Sequence, residues 1–329
     1  MAIATSGASA DLLICGVPRS GTSLTRGLFA AHPAYAVPRQ EMVWWVSLYP
    51  RFRGQPAQWP AFLAALVDDA KTRSLDLDRP SLTAALAAVP PGAHLAAFDV
   101  VLRRFAATQG RAHWGEKTLF AEREAPEVLA ALPRVKIIHL IRDPRDVYVS
   151  YLHAPWRTSD GGRWGRIKLR VRGHLAWTLR NWRLSVRLAR AHAARWPDRY
   201  RAVRYEDLVR DPVGTLRALC AFAGVAHEPG MMALDAYPDL VERKGNSSFG
   251  PFDGVSIAPI GRFHGALPPR AIALCEALAG EELATNGYTP AGVRLDRGDA
   301  WRLGVLDRPI ARAVEVAHAA ACRLLGGPR

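Results

Sequence analysis

The chain has 329 residues, 49% of them hydrophobic, with 44 Lys and Arg against 30 Asp and Glu. That length suits one large α/β domain or two small ones, and no stretch approaches the ~20 consecutive apolar residues of a membrane-spanning helix. The formal charge of +14 fits an anionic ligand, nucleic acid or an anionic surface. Cys15, Cys220, Cys275 and Cys322 are far apart and form no CxxC pair, so they read as buried free thiols in a reducing compartment. Met1 to Ala10 is small and polar, with no basic start and apolar run. This predicts a disordered N-terminus, no signal peptide and a cytoplasmic location.

The strongest local signal comes first. Leu12-Leu13-Ile14-Cys15 runs into Gly16-Val17-Pro18-Arg19-Ser20-Gly21, after which Leu24, Leu28 and Phe29 share one helical face. That pattern is a buried strand, a tight loop and a helix N-terminus, whose exposed N–H groups and dipole attract phosphate or sulfate. The spacing is close to a Walker A loop: Gly16, Gly21 and Ser23 fall in place, but Thr22 stands where the lysine belongs and the cation is Arg19. Without that lysine the contact to β- and γ-phosphates is lost, which argues against a triphosphate with magnesium.

Ala31-His32-Pro33 then stops the first helix. Glu41 follows on the next strand or loop, in an aromatic setting beside Trp44 and Trp45. Apolar spacing predicts helices over residues 57–90 and Leu95–Gln109, and a short strand over Ala112–Thr118 that ends in a polar loop. Val135 to Ile141 is β-branched and apolar, a buried parallel strand. Arg142 ends it, Asp143-Pro144 is an N-cap followed by proline at the first helical position, and Ser150 lies about two turns in. The carboxyl end of such a sheet is where open α/β folds bind ligands. Residues 154–172 are rich in Arg, Gly and Trp and suggest a basic lid or a solvated face. A long helix to Trp196-Pro197, a strand over Tyr200–Tyr205, a helix capped by Glu206 and Asp207, and a helix over Pro268–Leu283 complete the domain. The pattern predicts a sulfate- or phosphate-binding α/β domain over 11–290 and a helical extension over 291–329, with an amphipathic segment from Ile310 to Leu325.

Together these pieces resemble the sulfotransferase family, whose donor is 3′-phosphoadenosine-5′-phosphosulfate (PAPS). Pro18-Arg19-Ser20-Gly21-Thr22-Ser23 looks like the family's 5′-phosphosulfate loop. Arg142 with Ser150, eight residues on, matches its 3′-phosphate site, and Arg204-Tyr205-Glu206-Asp207-Leu208 is similar to its third characteristic stretch. The run from Pro18 to Pro33 resembles the tyrosylprotein branch. The resemblance implies a P-loop-like three-layer α/β fold, with a central parallel sheet and helices on both faces. It further implies Glu41 as catalytic base and Lys117, within Glu116-Lys117-Thr118, as a stabiliser of the sulfonate. Ser247 maps to a second stabiliser, with Ser248 and Arg262 as further donor contacts, although Lys244-Gly245-Asn246 intervenes where the branch has serine directly after Glu-Arg. Tyr205 is placed on the adenine side.

The chemistry supports that mapping. Sulfuryl transfer is an in-line displacement in which positioning and charge stabilisation carry most of the catalysis, with a carboxylate taking the acceptor's proton. No metal is required and no cluster of His, Cys and Asp shows ligand spacing in the sequence. Glu116 competes with Glu41 as the base and His113 is a weaker candidate; His139, inside an apolar strand, reads as a packed core histidine. The acceptor is a hydroxyl on a small molecule, sugar, lipid or peptide. A P-loop kinase is the principal alternative, opposed by Thr22 and by the capping position of Asp143. A nucleic-acid binder using 154–172 is third, with no known nucleic-acid motif behind it.

Overall fold

The computed structural model describes residues 9–154, 175–233 and 254–310, together with 312, 313 and 316. Residues 155–174, Ser247, Ser248, Cys322 and most of the last amphipathic segment lie outside the described residues.

Five parallel strands form the sheet: β1 (Asp11–Cys15), β2 (Tyr35–Ala36), β3 (His113–Lys117), β4 (Val135–Ile141) and β5 (Tyr200–Arg204), in the order β2-β3-β1-β4-β5. β1 is central, with Leu13 opposite both Glu116 of β3 and Ile137 of β4. All five residues of β1 are buried, as a parallel sheet covered on both faces demands.

The period of two along each strand distributes side chains between two cores. Leu13, Cys15, Val135 and Ile137 face a core holding Trp44, Trp45, Phe62, Phe98 and Trp114. Leu12, Ile14, Ile138 and Leu140 face the other, with Leu28, Phe29, Leu216 and Leu219. The helices follow this division. Those labelled here are α1 (Thr22–Ala30), α2 (Trp59–Asp68), α3 (His94–Thr108), α4 (Pro144–Leu152), α5 (Leu175–Arg195), α6 (Tyr205–Arg210), α7 (Pro212–Ala223) and α8 (Pro269–Thr285). α2 and α3 pack on the first face, α1 and α7 on the second. α5 and α8 enclose a third core with Ile141, Trp182 and Tyr288. The expected three-layer α/β arrangement is the observed one.

Arg145 Nη2 donates to the Thr289 carbonyl at 2.9 Å, and Leu303 packs into the third core. One local expectation changes. Glu206 does not cap its own helix. It reaches across to accept the backbone N–H of Asp143 at 2.9 Å, and the Tyr288 hydroxyl at 3.0 Å. A carboxylate in the first turn of α6 thus fixes the entry to α4 instead.

Candidate active site

The loop after β1 has the shape its residues require. Gly16 adopts φ 142°, and a Cβ there would lie 2.5 Å from the Leu140 carbonyl oxygen. Gly21, the N-cap of α1, adopts φ 94°, and its Cβ would fall 2.4 Å from Tyr205 Cδ2. Arg19 also takes a left-handed conformation, φ 72°. Alternating backbone signs of this kind turn successive N–H groups toward one concavity, an anion-binding nest. Gly21 brings no side chain to cap the first N–H groups of α1, so their partial positive charge faces the same place.

The two donor half-sites expected from sequence meet directly. Arg19 Nε donates to Ser150 Oγ at 2.9 Å. Arg142 donates through Nη1 to the Arg19 carbonyl at 3.1 Å and through Nη2 to the Pro259 carbonyl at 2.8 Å. The Arg142 guanidinium lies 4.5 Å from the centre of the Tyr205 ring, and that ring closes over Gly21. Tyr205 therefore stands between the loop and Arg142, joining the two elements. Burial, and next the charge of Arg142, push the Arg19 guanidinium down to about 10. Holding two guanidinium groups so close is electrostatically costly, and an anion between them offsets that cost.

Two polar atoms in this cradle are buried without a hydrogen-bond partner: Ser20 Oγ and Arg142 Nε. Groups of this kind carry a desolvation cost of about 1–3 kcal/mol each unless something satisfies them. Both are donors, in a nest of N–H groups, so the residues present fit an anionic phosphate or sulfate ligand. Ser23 opens the first turn of α1 beside Thr22. Arg262 lies close enough to Tyr205 that its charge, after that of Arg142, opposes the rise that burial imposes on the phenol.

Glu41 occupies the connection between β2 and a short 3-10 turn, Val43–Val46. Its carboxylate accepts Lys117 Nζ at 2.7 Å and the Leu119 N–H at 2.8 Å, while its own carbonyl accepts Lys71 Nζ at 2.5 Å. Lys117 is almost fully buried; burial pushes its ammonium down, and Glu41 opposes this. The expected base and the expected sulfonate stabiliser are thus in contact at the carboxyl end of β3.

The aromatic setting expected around Glu41 belongs to Glu116. Glu116 is fully buried and accepts the Met42 N–H at 2.8 Å, Trp45 Nε1–H at 2.9 Å and the Thr118 hydroxyl at 2.8 Å. Burial pushes it up to about 8. Its oxygens thus face three internal donors, whereas the Glu41 carboxylate faces two. His113 is likewise buried, 3.7 Å from Asp11, at the opposite end of β3.

Other polar groups came together without any signal in local spacing. Cys15, Glu122 and His139 place potential metal-ligating atoms within 4.8 Å of one another, all buried. His139 is the packed core histidine expected, with Nδ1 paired to Tyr200 Oη at 2.6 Å and Nε2 to Ser185 Oγ at 2.8 Å, and Ser185 in turn donates to Glu122 at 2.7 Å. With both imidazole nitrogens engaged by hydroxyls, the group is a hydrogen-bond network tying β1, β4, β5 and α5 beneath the loop. Cys15, Cys220 and Cys275 are buried free thiols, as expected.

A strand–glycine-loop–helix anion cradle at the centre of a parallel sheet, with a second basic strand end beside it, defines a P-loop-like transferase site. Comparison with known proteins narrows this. Residues 11–229 match the sequence profile of the sulfotransferase family, and the chain belongs to that family. Carbohydrate sulfotransferase 5 from Homo sapiens is 38% identical over 111 residues, 30% of this chain and 26% of that protein. Carbohydrate sulfotransferase 6 from Homo sapiens is 33% identical over 119 residues, 30% of this chain and 27% of that protein. The matched stretch spans about a quarter of the length of these curated relatives. Among solved structures, the sulfotransferase domain of the curacin biosynthetic pathway superposes with a TM-score of 0.55 at 17% identity, covering 86% of this chain and 99% of that one. The sulfotransferase domain of the Synechococcus PCC 7002 olefin synthase gives 0.50 at 23% identity, covering 82% and 94%. These structures share the fold. Among the described residues no helix is long and apolar enough to cross a membrane.

Proposed function

We propose that the chain transfers a sulfuryl group from PAPS to a hydroxyl acceptor, with Glu41 as general base and Arg19 and Lys117 stabilising the transferring group. The observation that carries this reading is the convergence of the Arg19–Ser150–Arg142 cluster on the glycine loop, with the Glu41–Lys117 pair one strand away on β3. PAPS supplies the activated sulfuryl group and a good leaving phosphate; the chain supplies position and charge. Ser20, Gly21, Thr22 and Ser23 offer N–H and hydroxyl donors to the 5′ end, while Arg142 and Ser150 bind the 3′-phosphate. Lys117 brings its ammonium to the transferring oxygens, and Glu41 takes the acceptor proton on its carboxylate. Arg262 adds a further cation from the turn at 259–263. Ser247 and Ser248 remain assigned to donor binding by resemblance to the family alone. The mapping requires no metal, and the location proposed is cytoplasmic.

The curated relatives are named as carbohydrate sulfotransferases, so a sugar hydroxyl is the first acceptor to test. The kinase alternative gains nothing, because Asp143 is engaged as a cap: its carboxylate accepts the N–H and the guanidinium of Arg145. The direct experiment is incubation with sulfur-labelled PAPS and a panel of saccharides, phenols, lipids and tyrosyl peptides. Label is expected in an acceptor hydroxyl. Phosphoryl transfer from ATP to such an acceptor, without sulfuryl transfer from PAPS, would overturn the reading.

A further inference from the structure

Asp146 is a second buried carboxylate on the face of α4 that carries the donor site. It lies four residues before Ser150, which puts the two on one side of α4, and one turn past Arg142, which follows β4 just ahead of the Asp143 N-cap. It is 1% exposed. Its Oδ2 accepts the Gly261 N–H at 2.7 Å and its Oδ1 the Phe263 N–H at 3.0 Å. These two amides flank Arg262. Gly261 turns the chain with φ 73°, and Arg262 then leads into a short helical turn, Phe263–Ala266.

Three further contacts fasten the same turn to α4 and to the strand end before it. Arg142 Nη2 donates to the Pro259 carbonyl, the Arg145 guanidinium lies 4.1 Å from the Phe263 ring centre, and Phe263 packs with Val149. Asp146 grips the backbone on both sides of Arg262. Its two oxygens each receive one N–H, so neither an amide nor a neutral side chain of the same size can replace it fully. An asparagine would accept one N–H and turn its own N–H₂ against the other.

We propose that Asp146 is a positioning residue for donor binding: by accepting the amides of Gly261 and Phe263 it holds Arg262 on the Tyr205 side of the site, where its charge adds to those of Arg19 and Arg142. The inference rests on the donor reading given above. The β4–α4 unit then has two tasks: Arg142 and Ser150 meet the ligand, and Asp146 holds the turn that brings in another cation.

Calorimetric titration with 3′-phosphoadenosine-5′-phosphate tests this, because that probe needs no knowledge of the acceptor. The proteins are wild type, Asp146→Asn, Arg262→Ala, the double variant, and Arg142→Ala as reference. Asp146→Asn and Arg262→Ala are each expected to weaken binding by roughly tenfold, and the double variant no more than the weaker-binding single. Hydrogen exchange at residues 258–264 is expected to rise in Asp146→Asn. A merely structural loss would lower stability but leave the two substitutions additive. Wild-type affinity in Asp146→Asn, alongside lost binding in Arg142→Ala, overturns the proposal and leaves the donor reading standing. Additive losses in the double variant overturn it too. Unchanged binding in Arg142→Ala removes the donor reading and this inference with it. Should Asp146→Asn fail to fold, Asp146→Glu keeps the charge, displaces the turn by one methylene and takes its place in the same cycle.

Discussion

The proposed donor side and the proposed base side of this site are built on different principles. The donor side is largely backbone: a loop with positive φ at Gly16, Arg19 and Gly21, and the end of β4, where Arg142 donates to the Arg19 carbonyl and lies over the Tyr205 ring. The base side is largely buried side chains. Glu41 has no regular element of its own, and its position comes from Lys117 and Leu119, while Glu116 accepts the N–H of Met42 beside it. A backbone cradle fixes its ligand's geometry through local conformation. A clamped coil depends on a strand more than seventy residues away in sequence. The first is sensitive to single backbone changes, and the second to single buried polar groups.

The largest effect that separates the two belongs to Glu41. Glu41→Gln is expected to lower turnover by roughly 10²–10⁴ with the affinity for 3′-phosphoadenosine-5′-phosphate unchanged, as a paired rate and binding measurement would show. Loss of binding in that variant would merge the two sides into one. Arg142→Ala is next, with the opposite signature. Losing a charge-assisted contact is expected to weaken the bisphosphate by about 1.5–3 kcal/mol, measured by calorimetry.

Gly21→Ala probes the backbone directly. A methyl group at φ 94° would strike the Tyr205 ring, so a loss of about 2 kcal/mol in stability is expected, read by denaturant unfolding together with weakened donor binding.

The smallest effect is a pH slope. Burial holds Glu116 up to about 8 against an ordinary value of 4.5, so the folded chain keeps this proton where the unfolded chain has released it. The stability it contributes is full below the ordinary carboxylate value and declines as pH rises toward the raised one. Glu116→Gln is expected to flatten that part of the stability profile between about pH 5 and 8, measured by thermal unfolding across pH. An unchanged slope would mean that the carboxyl is ionised throughout.

The same contrast explains what could be read in the sequence. The donor loop, Arg142 and Ser150 are legible because each rests on local spacing: a strand, a glycine turn and the first turns of a helix. The alternating apolar residues of β1 and β4 likewise give the parallel sheet. The carboxylate of Glu41 could be named only through resemblance, and the three internal donors that set Glu116 apart from it come from Thr118, just past β3, and from one distant segment, Met42 and Trp45. Asp146 carried one usable signal, its place one helical turn before Ser150, but its partners at 261 and 263 are fixed by the tertiary fold. The Cys15–Glu122–His139 group has no sequence signal, since the three residues lie on separate elements. Glu206 was legible as a capping carboxylate, yet the helix entry it serves is that of α4.

The central claim is that the loop after β1 and the end of β4 form one bisphosphate site. Thermal unfolding of wild type and Arg142→Ala with 3′-phosphoadenosine-5′-phosphate, against ATP and AMP, tests it most directly. The account predicts a large stabilisation of the wild type by the bisphosphate alone, lost in Arg142→Ala. Stabilisation by ATP without any by the bisphosphate would contradict it and return the site to a nucleotide-triphosphate chemistry.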